Sequence, residues 1–367
     1  MVPVLNKNRV LVAMSGGVDS SVAITKLKEM GYETIGITLK LWETTDPVTK
    51  LKKNSHCNST EAINGAKMIC DRLGVHHYTI NEIDSFKKYV VDDFTDEYLR
   101  GRTPNPCVKC NSYVKWGNLI EQADKFDAYY IATGHYARID SGDLTIKKGI
   151  DTNKDQSYML WHIDRSLIDR TLLPIGDLRK DEVREYANEK QLETSNVPDS
   201  QDLCFVMDGD YRNFLNKFMP EKMEKIDGGN IEAEDGDVVG KHTGFTNYTI
   251  GQRKGLGLSN PEPRYVKKIN PISNTITVAK KESMFSTRCR ATEINWLVDT
   301  PSFPLEALTK IRYNSIGAMA SIDKQGEEYI IDFNEPQLAI TPGQSIVFYS
   351  DDTLLGGGII KDDDDEQ

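Results

Sequence analysis

Apolar and polar positions change period along this chain. Val10–Met14 is an unbroken apolar run of β type. After a break at Ser15 the pattern becomes helical, with Val22, Ala23, Leu27 and Met30 on one side. Thr34–Trp42 is a β-branched run, Ser59–Leu73 a helix with Ala62, Ala66, Ile69, Cys70 and Leu73 on one face, and His76–Ile80 a short strand. Ile83–Leu99 reads as helix, Asp127–Thr133 as a buried strand ending at Gly134-His135, and Leu178–Leu192 as helix. Apolar strands alternating with helices predict an α/β fold, a parallel sheet covered on both faces, with ligands at the carboxyl ends of the strands. Around Met207 the character changes. A helix, Tyr211–Met219, leads into turns rich in Gly and Asp. Short alternating strands follow at Leu308–Tyr313, Gly317–Ile322, Glu328–Phe333, Ser345–Tyr349 and Leu354–Ile360, which predict a small β-barrel or sandwich. The resulting division is 1–206, 207–285 as a small central domain, 286–361, and an acidic tail at 362–367.

The turn after the first strand carries the sharpest signal. Ser15-Gly16-Gly17-Val18-Asp19-Ser20 joins strand to helix, where free backbone amides and the helix dipole favour an anion. Glycines let the backbone approach it closely. With no lysine between Ser15 and Thr25, the turn is not a Walker A loop. The alternative is an ordinary βα turn, but the full hexapeptide in the first βα unit favours nucleotide binding. It resembles the pyrophosphate (PP) loop of N-type ATP pyrophosphatases, which cleave ATP between its α and β phosphates and adenylate a substrate oxygen.

Composition adds bounds. The 367 residues exceed one compact core, and no apolar run approaches membrane-spanning length. The first residues lack a signal-peptide core, so the expected compartment is the cytoplasm, with no membrane partner. The net charge of −11 argues against nucleic acid, but five acids are concentrated at Asp362–Glu366. From Arg264 to Arg290 seven Lys/Arg face a single acid, Glu282, a composition that could form a local basic face for RNA. Six cysteines, at 57, 70, 107, 110, 204 and 289, are too few for a disulfide framework.

Cys107 and Cys110 follow Thr103-Pro104-Asn105-Pro106, a loop stiffened by two prolines that is expected to hold both thiols near the surface. Cys204 lies where the α/β region ends; Cys70 reads as core; Cys57 and Cys289 carry no motif. Separated thiols suit an adenylating enzyme that replaces oxygen by sulfur. A cysteine persulfide supplies the sulfur, and a second thiolate breaks the S–S bond, leaving a disulfide on the enzyme.

Over essentially its whole length the chain resembles the tRNA-specific 2-thiouridylases, the MnmA/TrmU family. The resemblance rests on the Ser15–Ser20 loop, Gly101-Arg-Thr-Pro-Asn-Pro106, Ala132-Thr-Gly-His-Tyr136, Asn153-Lys-Asp-Gln-Ser-Tyr158, Ile250-Gly-Gln-Arg-Lys-Gly-Leu-Gly257, Thr341-Pro-Gly-Gln344 and Leu355-Gly-Gly-Gly-Ile-Ile360. It implies a PP-loop domain of the adenine nucleotide alpha hydrolase-like class, a central domain and a tRNA-contacting C-terminal β-barrel. The implied activity is ATP-dependent 2-thiolation of the wobble uridine of tRNA. The residues carried over for ATP are Ala13, Met14, Ser15, Gly16, Gly17, Val18, Asp19, Ser20, Leu39 and Gly134. Cys110 is the implied nucleophile and Cys204 the persulfide carrier. Lys154, Asp155, Gln156, Arg312 and Tyr313 are implied to touch tRNA, with His135 and Gln344 near it. Asn105, Pro106 and Cys107 are implied to line the target-base pocket. Many relatives carry an acid where this chain has Cys107; Cys107 and Asp19 are auxiliary candidates. Magnesium is expected with ATP, and a sulfur-delivering protein is expected as partner to a monomer.

Simpler roles stand beside these. His135 could cap its strand, Asp155 could cap a short helix, Lys154-Asp155 could be a solvated turn, and Arg312 could be an exposed strand residue. Arg253 and Lys254 could be a solvated pair or lie against phosphates. Cys107, Cys110 and Cys204 could also hold three corners of an iron–sulfur cluster, a less favoured reading. Two rival functions are an amide- or amine-forming synthetase of the same ATP class, in which nothing demands Cys110 and Cys204, and a non-catalytic RNA-binding protein.

Overall fold

Strand β1 (Asn6–Ala13) is buried on both faces, with Val10, Leu11 and Val12 fully inaccessible, the signature of a central parallel strand. The computed structural model describes residues 5–45, 52–54, 59–198, 203–206, 209–226, 228–259 and 262–362. Two units divide the chain: residues 1–91, 107–209 and 352–355 form one, and 92–106, 210–351 and 356–367 the other. Cys57 and most of the acidic tail lie outside the described residues.

In the first unit β1 pairs in parallel with β2 (Glu33–Lys40) on one side and with Ala128–Ala132 on the other. A small antiparallel pair, β3 (Glu43–Thr45) and β4 (Lys52–Asn54), follows β2. Next come β5 (His77–Asn81), β6 (Ala128–Ala132), the hairpin β7 (Ala137–Asp140) and β8 (Thr145–Lys148), and β9 (Thr171–Leu172). The parallel sheet runs β5-β2-β1-β6-β9. Its order reverses between β1 and β6, so the turns leaving these two strands open at the same end of the sheet, the usual ligand position.

Helix α1 (Val18–Glu29) packs Val18, Val22, Ala23, Ile24 and Leu27 inward. Met30, expected on that apolar face, is instead 66% exposed: the helix has ended, and Gly31, at φ +91°, turns the chain away. Helix α2 (Thr60–Leu73) has its expected limits because both ends are chemically marked. Ser59 accepts a hydrogen bond from the Ala62 amide, and Gly74 closes it in the left-handed conformation. Ala66, Ile69 and Cys70 are buried there. Burial pushes the Cys70 thiol up to about 12, so it is an inert core group.

The segment after the two prolines departs from expectation. It is helical from Pro106, through Pro106–Lys109, a π-helical stretch Cys110–Gly117 and the helix Asn118–Lys125. Proline is compatible with a first helical turn, where its missing N–H costs nothing. Val108, Val114, Trp116, Leu119 and Ala123 point inward, and Cys110 is carried in with them, 8% exposed, while Cys107 stays exposed. A second π-helical stretch, Lys87–Val91, interrupts the helix read at Ile83–Leu99.

In the second unit, the stretch read only as helix and turns holds β10 (Asn230–Ala233), β11 (Val238–Lys241), β12 (Tyr265–Asn270) and β13 (Thr275–Ala279), in the order β11-β10-β13-β12. Ile231, Phe245, Val266, Ile276 and Val278 form its core. The barrel strands are β14 (Phe285–Trp296), β15 (Leu305–Lys310), β16 (Ala318–Gln325), β17 (Glu328–Leu338), β18 (Ser345–Ser350) and β19 (Thr353–Ile360). They run β14-β17-β16-β15-β18-β19, and the β14–β19 pairing closes the barrel. The first residues of β19 belong to the first unit, where Thr353 and Leu354 pair with Lys147 and Ile146 of β8.

Gly36 of β2 leaves room for a core thiol: a Cβ there would stand 2.5 Å from Cys70 Sγ. Gly36→Ala is therefore expected to destabilise the protein by about 1–3 kcal/mol through overpacking. Thermal unfolding of Gly36→Ala with and without Cys70→Ala checks this. The second change should restore part of the loss, and independent effects would refute the contact.

Candidate active site

The loop at residues 14–17 is tied to the sheet at its start. The Met14 amide donates to the Ile37 carbonyl at 2.7 Å, and Thr38 Oγ1 donates to the Met14 carbonyl at 2.9 Å. Hydroxyls then organise the turn. The Ser15 amide donates to Ser20 Oγ at 3.2 Å, and Ser20 Oγ and Ser21 Oγ donate to the Gly17 carbonyl at 3.1 and 3.0 Å. Gly17 precedes α1 with no side-chain cap, so the first-turn amides keep their affinity for an outside acceptor. Two glycines are required by their neighbours. Gly16 has φ +77° and a Cβ would run into the Ala62 carbonyl of α2. A Cβ on Gly134 would lie 2.8 and 2.9 Å from backbone atoms of Asp19 and Ser20. Ala13 ends β1, and Leu39, 8% exposed, lies near the end of β2.

Asp19 points into a charged cluster. Lys180 Nζ donates to both of its oxygens, at 2.8 and 2.9 Å, and the Tyr136 hydroxyl donates to one at 2.7 Å. Lys180 stands at the start of the helix Lys180–Glu189, where its amide donates to the Asp151 carboxylate. That bond and the Asn153 amide hold Asp151 below the usual carboxylate range. The loop thus has no lysine of its own, but a distant one neutralises its acid.

The thiol segment is braced on its inner side. Asn111 Nδ2 donates to the Met159 carbonyl at 3.0 Å, and Trp116 Nε1 donates to Thr171 Oγ1 at 3.0 Å. Cys204 is partly exposed, next to Phe205, whose ring packs against Phe86 and Trp42 at 5.8 and 6.4 Å. Among the described residues no group of three or more His, Cys, Asp or Glu side chains is placed to hold a metal ion. His135 lies 5.4 Å from the Trp116 ring and bonds Thr133 Oγ1 through Nδ1 at 2.7 Å. Burial, then the charge of Lys115, push its imidazole well below the ordinary histidine range, so it is neutral at pH 7.

Residues 154–156 form a folded turn. The Asp155 carboxylate accepts from the Gly149 and Ser157 amides and from Ser157 Oγ, each at 3.0 Å. Gln156 Oε1 accepts from the Tyr136 amide at 3.0 Å. Both side chains are thus used in shaping the turn, and Lys154 is left partly exposed beside them. In the second unit, Gln344 Nε2 donates to the carbonyls of Thr103 and Pro104 at 2.9 and 3.2 Å, fixing the chain before Asn105 and Pro106. Arg312 and Tyr313 lie in a turn beyond β15, not in a strand, since β15 ends at Lys310; Arg312 donates to the Leu338 carbonyl at 2.6 Å. The expected basic face from Arg264 to Arg290 is largely neutralised. Lys267 pairs with Glu234, Lys280 with Glu262, Arg288 with Asp332 and Arg290 with Glu328.

Family descriptions match nearly the whole chain: a tRNA methyl transferase HUP domain over residues 8–208, a tRNA methyl transferase PRC-barrel domain over 212–280 and an aminomethyltransferase beta-barrel domain over 286–360. The tRNA-specific 2-thiouridylase MnmA of Carboxydothermus hydrogenoformans is 43% identical over 362 residues, 96% of this chain and 97% of that protein. That of Clostridioides difficile is 43% identical over 96% of this chain and 97% of its own, and that of Salinibacter ruber 44% over 95% and 93%. The chain belongs to the MnmA family of tRNA-specific 2-thiouridylases.

In this MnmA-family chain, sequence reasoning did not find Lys180, Tyr136 as a partner of Asp19, or Trp116 beneath His135. Lys180 read only as part of a helix start, and nothing local ties it to a residue 161 positions earlier.

Two outcomes follow from this geometry. Lys180→Met leaves the Asp19 carboxylate without its cation, so an anion held by the neighbouring loop amides would meet an uncompensated charge. ATP affinity, measured by calorimetry, should fall about tenfold or more, and adding Asp19→Asn should recover part of it. Wild-type affinity in Lys180→Met would refute the role. His135 has a depressed folded pKa, so its neutral form contributes stability fully above the unfolded value of about 6.5, and this is lost as pH falls toward the folded value. Unfolding midpoints from pH 8 to 5 should fall more steeply below about 6.5 in the parent than in His135→Gln.

Proposed function

We propose that this chain converts the wobble uridine of tRNA to 2-thiouridine, consuming ATP and a persulfide sulfur. The observation that carries the reading is that the glycine loop and both reacting thiols, Cys110 and Cys204, belong to one compact unit of an MnmA-family chain. The matched family descriptions carry methyl-transferase names. A loop fit for ATP and two cysteines suit thiolation better, since methyl transfer needs neither.

The α1 amides and the Ser15–Ser20 loop hold the phosphates, with Ala13, Met14, Leu39 and Gly134 around the nucleotide. The uridine O2 attacks the α-phosphorus and pyrophosphate leaves. Cys204, charged by a sulfur-delivering protein, presents its terminal persulfide sulfur. That sulfur attacks C2, the C2–O bond breaks and AMP leaves. The Cys110 thiolate then attacks Cys204 Sγ. The S–S bond breaks, its electron pair stays on the product sulfur as 2-thiouridine, and a Cys110–Cys204 disulfide forms. An external dithiol returns both cysteines to thiols. Asn105, Pro106 and Cys107 line the base pocket, with His135 and Gln344 near the RNA and Lys154, Asp155, Gln156, Arg312 and Tyr313 on tRNA. Magnesium would accompany the triphosphate, with phosphate oxygens and water as its donors, because both Asp19 oxygens already accept from Lys180. The reading divides the chain at 206/207 and 285/286 and puts a monomeric enzyme in the cytoplasm. No helix among the described residues is long and apolar enough to cross a membrane.

Incubation with unmodified tRNA, ATP and a persulfide-loaded donor, followed by nucleoside mass spectrometry, tests this. 2-Thiouridine is expected from the parent and from neither Cys110→Ser nor Cys204→Ser. No thiouridine from folded parent protein would sink the reading. Full activity in Cys110→Ser with loss in Cys107→Ser would move the nucleophile to Cys107.

A further inference from the structure

The two π-helical stretches, Lys87–Val91 and Cys110–Gly117, carry a surface feature that the reaction above does not use. Tyr89 and Tyr113 stack face to face, ring centroids 5.0 Å apart and 13° from parallel. Both are solvent-exposed, at 36% and 40%. Cations flank them: Lys88 Nζ lies 4.8 Å from the Tyr89 centroid and Lys109 Nζ 5.9 Å from that of Tyr113. His162 lies 5.4 Å from Tyr113 and bonds Ser112 Oγ through Nδ1 at 3.1 Å. Large aromatic rings left more than a third exposed, with lysines over them, suit unpaired nucleotides. The rings stack on bases and the ammonium groups meet phosphates.

We propose that Tyr89 and Tyr113, with Lys88 and Lys109, form a stacking platform for single-stranded nucleotides of the tRNA substrate. The proposal rests on the tRNA-thiolation reading. Tyr113 lies three residues beyond Cys110 on the same helical stretch and, unlike that inward-turned thiol, faces solvent. RNA is favoured over a protein partner by charge, because Lys88 and Lys109 lie over the rings themselves.

The test uses the full chain with fluorescently labelled unmodified bulk tRNA. Tyr89→Ala/Tyr113→Ala should weaken tRNA binding about tenfold or more and raise KM for tRNA while kcat holds, with ATP affinity and unfolding midpoint unchanged. Tyr89→Phe/Tyr113→Phe should bind like the parent, because stacking needs the ring and not the hydroxyl. Lys88→Ala should lower the slope of log affinity against log salt by about one. Parent-like tRNA affinity in the double alanine variant overturns the platform. So does unchanged tRNA binding with slower sulfur uptake from the persulfide donor, which would assign the surface to that protein. Thiouridine formation by the parent is scored separately. A parent that makes none, but whose alanine variant still loses tRNA affinity, keeps the platform and loses only the thiolation reading.

Discussion

Backbone packed directly on backbone is what the nucleotide loop depends on. The Ala62 carbonyl of α2 closes on Gly16 from one side, and Gly134, leaving β6, sits against the peptide of Asp19 and Ser20 on another. With no side chain between these backbones, the path of the loop is set by where strands and helices end, and the Ser15 and Ser20 hydroxyls then fix its amides. The direction of Asp19 follows from this, and with it the reach of Lys180 and Tyr136 to a single carboxylate. Displacing α2 by the width of a methyl group would shift the loop amides without changing a residue of the loop.

What could be read in advance depended on how local its cause was. The parallel sheet was legible because β1 and β2 are buried on both faces and so read as continuous apolar runs. Helix α2 was legible to within a residue because Ser59 and Gly74 mark its ends in the sequence itself. The Cys110 segment was misread because two prolines suggest a loop, whereas Pro106 occupies a helical first turn that tolerates it. The central sheet was missed because its strands are short and β10 pairs with β13 across more than forty positions. Strand β14 hid behind four exposed residues before its alternation begins at Cys289.

The site shows the same division. The phosphate loop and the cysteines announce themselves by residue type and spacing. Lys180 does not, because its meaning is a distance to Asp19 that only the folded chain creates. Charge misled in the same way. Seven basic residues close in sequence looked like a face for RNA, yet acids from β17 and from turns elsewhere in the second unit reach four of them. Composition counts charges, but only the fold says which are already answered.

The return of residues 352–355 to the first unit has a consequence for how the protein is made. Thr353 and Leu354 form the third strand beside the β7–β8 hairpin, and Arg138 pairs with Asp352 at 2.7 Å across more than two hundred residues. In a chain made from its N-terminus, the Ser15–Ser20 turn and the Gly134 that backs it precede residues 352–355 by more than two hundred positions, so the β8 edge stays unpaired until those residues are made. Contacts of such sequence separation close late and slowly. Closure of the first unit at that edge is thereby coupled to synthesis of residues 352–355, far along the chain.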